Sequence, residues 1–233
     1  MENKGTFFAG LAVMAGLIIS GLMLPEAVKV WKDSERTVTV KGLCEREVAA
    51  DKVIWPVTIK VVGDDLQDVY SERSDKNSIL SRYLLDGGLA KEDISVSVPI
   101  VSDKMAMEYS TDRIYRYLIT STTTVCTRNV ETVLELMHGI SELGTKGIAP
   151  EQNWEYRTEF LFEGLNDIKP EMIQEATHNA REAAQKFASD SNSSLGKIKS
   201  ASQGSFTIED RDSNTPQVKK VRVVTSVVYN LVK

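Results

Sequence analysis

The clearest pattern of apolar and polar positions in this chain lies in residues 170–205. Apolar residues recur there at steps of three and four while polar residues fill the other side, and this periodicity predicts an amphipathic helix. Most of the apolar stripe is alanine, so we expect the helix backbone to lie close to a sheet beneath it. The stripe consists of Met172, Ile173, Ala176, Ala180, Ala183, Ala184, Phe187 and Ala188.

Both ends of this helix carry recognisable signals. Pro170 suits the first helical turn, where its missing N–H is not needed, and a Ser/Asn run followed by Gly196 marks the end. A strand-like segment, residues 197–202, comes next. The local order is therefore helix, short turn and strand.

Phe187 is the largest residue of the stripe. We expect it to pack on a sheet formed by the segments around Trp154 and Lys219, so that Phe187→Ala lowers the free energy of unfolding by ~3–5 kcal/mol. In the alternative interpretation, Phe187 and the alanines face another subunit, and the substitution lowers the mass of the assembly instead.

The first strands lie on either side of an Ala49-Ala50-Asp51 turn. Residues 37–44 and 53–62 alternate between apolar and polar side chains, which predicts two strands paired as a hairpin or near-hairpin. Pro56 cannot donate to a ladder, so it indicates an edge position or a bulge in the second strand.

The remaining segments alternate between helix and strand patterns. A helix is predicted from Asp64-Asp65 to Gly87-Gly88, and a second over residues 130–143. Strands are predicted at residues 94–101, 114–127, 154–162 and 219–232, the last apolar on both faces and hence central in its sheet. This order predicts an α+β fold in which a mixed β-sheet is packed by amphipathic helices.

An uncharged stretch, residues 6–24, stands at the start of the chain. It has about 19 residues, which is enough for one transmembrane helix. A cleaved signal peptide is the competing interpretation, but the only small-residue exit, near Ala27, follows Pro25 and Glu26. We favour a signal anchor with a juxtamembrane linker over residues 1–36, and a folded ectodomain over residues 37–233.

Charge and composition indicate which classes of partner and ligand the chain is not expected to bind. The 233-residue chain has a net charge of −5, and its Lys and Arg residues are scattered, so we expect no nucleic-acid partner. Its two cysteines and two histidines do not make a structural zinc set, and no phosphate- or dinucleotide-binding motif appears. We therefore predict no metal-binding and no cofactor-binding residues.

The titratable residues give no catalytic constellation. His138 and His178 fall on predicted helices at the edge or polar side of the apolar stripe, where a solvated or capping histidine is the default. The acidic pairs Glu45/Glu47 and Asp64/Asp65 are interpreted as a strand end and a helix start, and the Ser121–Thr124 cluster as a strand surface. We predict no catalytic residues.

The cysteines provide the alternative to a non-enzymatic function. A thiol- or redox-linked enzyme would use Cys44 or Cys126, and would need an exposed thiol with a lowered pKa. Cys44 shares a strand face with valines, which indicates a small core residue. Cys126 shares a face with threonines, so its different surroundings predict that the two do not form a disulfide.

Several segments resemble one known family. VTVKGL…EVAADKV, WEYRTEFLF, EATHNAREAAQKFA and SLGKIKSAS are similar to the SIMPL-domain family, and the similarity covers residues 37–232. The chain has Gly42-Leu43-Cys44 where the family often has G-x-G, and Ala50-Asp51 where it often has Pro-Asp. The resemblance implies an exported bacterial envelope protein, with ring-like oligomers in some members and links to oxidative stress. It supplies no catalytic residues.

Together these observations lead to one expected function. We expect a single-pass inner-membrane protein, held in the membrane by its N-terminal helix, with its folded domain in the periplasm. It would be non-enzymatic and would act as a homo-oligomer or by binding another protein, in connection with oxidative or envelope stress.

The anchor prediction can be tested directly. Because residues 6–24 are long, uncharged and followed by a poor cleavage site, the mature protein should keep its original N-terminus in the membrane fraction. N-terminal sequencing of that fraction checks this. A mature chain that starts near Val28 would show that the segment is a cleaved signal peptide.

Overall fold

The computed structural model describes residues 10, 13–18, 20–21, 36–106, 114–151 and 156–232. Its helices are α1 (Leu66–Asp86), α2 (Val130–Gly139), α3 (Glu142–Thr145) and α4 (Leu165–Asp190), with a 3-10 turn at Lys91–Asp93. Its strands are β1 (Thr37–Ala49), β2 (Lys52–Gly63), β3 (Ile94–Val96), β4 (Ile100–Asp103), β5 (Tyr117–Thr127), β6 (Glu159–Leu161), β7 (Ser194–Gln203), β8 (Thr207–Asp210) and β9 (Val218–Val232).

Most of the predicted anchor and linker, residues 1–36, falls outside the described residues. Residues 13–18 are helical. Within the part of the chain that is described, no helix has the length and apolarity needed to cross a membrane. The transmembrane helix therefore stays a prediction.

The fold has two compact units. The first unit contains the described residues of Met1–Arg46, Ile168–Thr207 and Val221–Lys233, and the second contains those of Glu47–Asp167 and Ile208–Lys220. The strands β1, β8 and β9 and the helix α4 thus each contribute residues to both units.

The first unit is a helix on a sheet. The strand order is β1-β9-β7, so β9 is central as its two apolar faces predicted, and β8, most of which belongs to the second unit, pairs with β9 as well. Leu231 N–H donates to the Arg36 carbonyl at 2.8 Å, and β7 runs antiparallel to β9. The helix α4 covers this sheet, and their shared core is made of Val40, Ala180, Ala184, Val227 and Tyr229.

The alanine stripe of α4 brings the helix backbone close to β1, as predicted. Its fully buried residues follow strict four-residue steps: Met172, Ala176, Ala180, Ala184 and Ala188. Below them lies Gly42, where a Cβ atom would stand 1.8 Å from the Ala176 carbonyl oxygen and 2.5 Å from the Ala180 nitrogen. Only glycine at this position leaves room for the two backbones to approach this closely.

The prediction that Phe187 is buried is wrong, because 60% of Phe187 is exposed. A four-residue step advances about 40° around a helix, so a buried row with this spacing winds around α4 and has turned away from Phe187 at its C-terminal end. The stripe read from the sequence combined three- and four-residue steps and was too wide. The sheet beneath α4 also differs from the predicted one. It is formed by β1 and β9, whereas β6 belongs to a different sheet.

The second unit is built around the long β2–β5 pair. The strand order is β3-β5-β2-β6, with β4 also on β5, and β2 and β5 pair antiparallel from Val53↔Thr127 to Gly63↔Tyr117. Helices α1, α2 and α3 supply buried residues to its main core, among them Leu80, Leu84, Val133 and Leu143. Pro56 lies beyond the three β2 residues that pair with β6, so it has the locally unpaired edge that it requires.

The predicted single mixed sheet is wrong, because the described strands form two sheets and the pairings described in them are antiparallel. The predicted β1–β2 hairpin is also wrong, because β1 and β2 belong to different sheets. The change occurs at the turn itself, where Ala50 N–H donates to the Gln217 carbonyl while Asp51 N–H donates to the Leu161 carbonyl. Consecutive amides that pair with different segments cannot continue into a hairpin.

Asp51 stabilises the turn at which the chain passes from the sheet of β1 to the sheet of β2. Its two carboxylate oxygens accept from Glu163 N–H at 2.8 Å and from Gly164 N–H at 2.7 Å. A carboxylate that receives two backbone donors holds the start of β2 against the segment that leads into α4.

Several element boundaries differ from the sequence prediction. Of the strand expected over residues 154–162, the described part, residues 156–162, is extended into a strand only in β6, and Trp154 lies outside the described residues. The helix α4 begins at Leu165, so Pro170 lies inside it. The strand expected over residues 94–101 is divided into β3 and β4, which pair with different parts of β5.

The ends of α1 agree with the prediction. The Asp65 carboxylate caps the helix by accepting from Gln67 N–H and Asp68 N–H, and Gly87 N–H donates to the Tyr83 carbonyl at the other end. Gly88 follows with a φ of 95°, a conformation that favours glycine.

The contact at Gly42 gives a stability prediction. Gly42→Ala should lower the free energy of unfolding by about 3 kcal/mol or more, because the new methyl group meets helix backbone that cannot rotate away. Urea denaturation of the full chain, followed by circular dichroism, measures the change.

Gly144→Ala is the matched control. It lies in α3 with nothing within 4 Å of its Cβ position, so its effect should stay within about 0.5 kcal/mol. Equal unfolding midpoints for the two variants would contradict the close approach of α4 to β1.

Candidate interaction surface

A groove runs between α4 and β7 in the first unit. The helix row beside the buried alanines, formed by Thr177, Arg181 and Gln185, makes one wall. Leu195 and Ile198 of β7 line the other wall, and Tyr229 of β9 contributes from the central strand. The groove has a volume of about 460 Å³.

A bulge in β7 shapes this groove. The β7–β9 register shifts between Leu195 and Ile198. Gly196 lies in this bulge, where a Cβ atom would stand 2.9 Å from the Asn230 carbonyl oxygen. The strand can therefore bend against β9 only with glycine at this position.

The strand β7 lies at one edge of the first unit's sheet and is largely exposed. β7 is the end strand of the order β1-β9-β7, and every residue from Lys197 to Gln203 is exposed. Edge strands are commonly short, covered or marked by lysine, because their free N–H and C=O groups can pair with another chain. This strand is long, no further strand pairs with its outer edge in the described part of the chain, and it carries Lys197 and Lys199.

Ile198 and Phe187 are among the large apolar side chains that are exposed on this unit. Ile198 on β7 is 52% exposed and Phe187 on α4 is 60% exposed. Ile198 stands on the edge strand itself, where side chains help to select an added strand.

Cys44 lies under an ionic cluster of the same unit. It is 1% exposed, and both its burial and a hydrogen bond to Glu175 raise the pKa of its thiol. Arg46 donates from Nη1 to Glu171 Oε2 at 2.8 Å and from Nη2 to Glu175 Oε2 at 3.2 Å. The hydrogen bonds from Cys44 and Arg46 lower the pKa of Glu175. A thiol beside a carboxylate that stays ionised is held in its protonated form.

Cys126 lies in different surroundings, in the second unit. It is exposed on β5 opposite Ile54, and both cysteines are free thiols. Lys52 and Arg128 are both paired with Glu163, at 2.8 Å and 3.1 Å.

The histidines lie at the surface, as predicted. His138 is exposed in the last turn of α2. His178 is exposed on α4, with Nδ1 3.8 Å from Glu182 Oε1. Among the described residues, no three His, Cys, Asp or Glu side chains are grouped to hold a metal ion.

The acidic pairs have the structural roles that the sequence suggested. Glu45 is 3.4 Å from Arg222 and Glu47 is 3.5 Å from Arg211. Asp65 caps α1, and Asp64 accepts from the Arg116 N–H at 2.9 Å.

The Ser121–Thr124 cluster is only partly a strand surface. Thr122 bonds Thr58 on one face of β5, whereas Ser121 and Thr123 are buried on the other. The expectation of an ordinary strand surface therefore fails for Ser121 and Thr123, since alternation along β5 turns them into the interior.

Sequence reasoning identified β7 as a strand but missed its exposed edge. The signal was present in SLGKIKSASQ, where polar residues occupy both faces and no apolar alternation marks a buried side. A strand that is polar on both faces has no core to cover, so it belongs at the edge of a sheet.

Comparison with models of protein families identifies a match for this chain. A search of curated proteins finds no similar protein. The model of the SIMPL family, described as "Protein of unknown function (DUF541)", matches residues 38–229, which include nearly all of the described strands and helices. This confirms the resemblance read from the strand and helix segments. The chain therefore belongs to the SIMPL family.

Proposed function

We propose that this chain is a single-pass envelope protein of the inner membrane whose folded part, residues 37–233, lies in the periplasm and acts by assembling with further copies of itself. The assembly is non-enzymatic. The observation that supports this proposal is the long outer edge of β7, with which no further strand pairs among the described residues and in which Lys197–Gln203 are all exposed.

A free strand edge gives a partner both affinity and direction. Its backbone N–H and C=O groups bind an added strand, and the side chains beside it select which strand is added. Lys197 and Lys199 oppose pairing with arbitrary apolar strands, because burying their charges against such a strand is costly. The edge is therefore suited to one specific partner rather than to general aggregation.

A second copy of the chain is the partner that we propose. The resemblance to SIMPL proteins, some of which form ring-like oligomers, supports self-assembly. An N-terminal anchor at residues 6–24 would hold all copies in the same membrane and raise their effective concentration. A weak contact along β7 would then be sufficient for assembly.

The link to oxidative or envelope stress is part of the proposal through the family resemblance. The thiol-enzyme alternative gains no support from Cys44, because its pKa is raised and its side chain is buried. A thiol nucleophile needs the opposite conditions. Cys126 is the accessible thiol of the two.

The assembly proposal predicts the effect of a charge on the β7 edge. Ile198→Glu should reduce the assembly to monomers without unfolding it, because the side chain is half exposed and surface changes usually cost less than about 0.5 kcal/mol. Sedimentation of the full chain in non-ionic detergent gives the mass, and circular dichroism checks the fold.

Val98→Glu is the control for this experiment. Val98 is the same kind of exposed apolar residue in the second unit, and the variant should keep the mass of the wild type. Equal masses for Ile198→Glu and wild type would show that the β7 edge does not carry the assembly.

Thiol labelling tests whether Cys44 could act in a thiol enzyme. At neutral pH, native protein should react with iodoacetamide at one cysteine, Cys126, while Cys44 reacts only after unfolding, because its buried thiol stays protonated. Mass spectrometry of the labelled peptides checks this. Fast native labelling of Cys44 would favour the thiol enzyme.

A further inference from the structure

The face of α1 that lies on the sheet is interrupted by polar residues. Val69, Leu80 and Leu84 are buried in this helix. Between them, Arg73 and Asn77 continue the four-residue steps that begin at Val69. A helix that merely covers a core would have apolar residues at these two positions.

The strand that lies opposite Asn77 also carries polar residues there. The Asn77 amide donates to the Ser121 hydroxyl at 2.9 Å, and the neighbouring Thr123 is fully buried. This polar layer divides the apolar core of the second unit. Val61, Val69 and Ile119 form a small cluster separate from the large one that contains Leu80 and Leu84.

Two polar atoms of this region have no hydrogen-bond partner among the described residues. They are the Arg73 Nε and the Thr123 Oγ1, and both atoms are buried. Buried donors and acceptors are nearly always paired, since an unpaired group costs about 1–3 kcal/mol. Departures of this kind from ordinary core packing are concentrated at functional sites.

A cleft of about 500 Å³ opens beside this layer. Its walls include Arg73, Ser74, Asn77, Ser81 and Arg82 from α1, and Val96 from β3. Neither Arg73 nor Arg82 forms an ion pair with a carboxylate of the described residues. By contrast, Lys76 on the same helix is paired with Glu72 at 2.7 Å.

We propose that this cleft binds a small organic molecule through its phosphate or carboxylate group, which pairs with Arg73. A guanidinium group donates two parallel hydrogen bonds to such an oxyanion, and serine hydroxyls and an amide are suitable additional donors. Arg73 and Arg82 lie about 13 Å apart along the helix axis, so the remainder of the ligand extends from Arg73 toward Arg82.

The test uses inorganic phosphate and acetate as probes of the anionic group. Each is titrated calorimetrically into the full chain in non-ionic detergent, at constant ionic strength so that general screening does not change. We expect at least one of them to bind with a Kd on the order of 1 mM, and the one that binds identifies the ligand class.

Arg73→Gln should weaken this binding about tenfold or more, because one charge-assisted contact is lost. Asn77→Asp is the second variant. It keeps the shape of the side chain but adds a negative charge beside Arg73, and should weaken binding by a similar factor. Lys76→Gln removes the same charge from the same helix and should change the Kd by less than about twofold.

Two results would overturn the proposal. One is the absence of binding for both probes up to about 50 mM, well above the expected Kd. The other is an affinity for the probe that stays at the wild-type value in folded Asn77→Asp protein. This second result can be obtained even if Arg73→Gln does not fold.

Discussion

The first unit depends on how closely the α4 backbone approaches β1. At Gly42 no side chain separates the two, and the alanines above it add only methyl groups. The contact gains dispersion energy over the whole row, yet it tolerates almost no added volume. Because the helix is fixed at this distance, the side chains that flank the row are fixed as well, and they decide what the unit presents to its surroundings.

One consequence lies two residues further along β1. Cys44 points to the same side as Gly42 and is covered by Glu175 of α4, so it has the surroundings of a core residue with an acceptor nearby. The helix also places Glu171 beside Arg46, with which it forms an ion pair at the edge of this contact. The family pattern often has glycine at the position of Cys44, and a small thiol is an understandable replacement where space is limited.

Local patterns in the sequence predicted the elements well but not their pairing. The cap at Asp65, the glycines after α1 and the alanine row of α4 follow from neighbouring residues, and the structure contains all three. The separation of β1 from β2 was not predictable in this way. It depends on the Ala50 and Asp51 amides finding partners at Gln217 and Leu161, and those partners are distant in the chain. The arrangement of the strands into sheets therefore depends on contacts between residues that are distant in the chain.

The same contrast between local and distant contacts explains why one candidate site could be predicted from the sequence and the other could not. The absence of apolar alternation in β7 is a local signal that, read alone, already places the strand at an edge. The polar layer of the second unit is different, because Arg73 and Asn77 look like an ordinary solvated helix face until Ser121 is found opposite. A polar residue facing a polar residue across a core costs stability that an apolar pair would supply. A core that is divided at this cost, beside a cleft with two arginines that lack a described ion-pair partner, is more easily explained by a ligand than by packing.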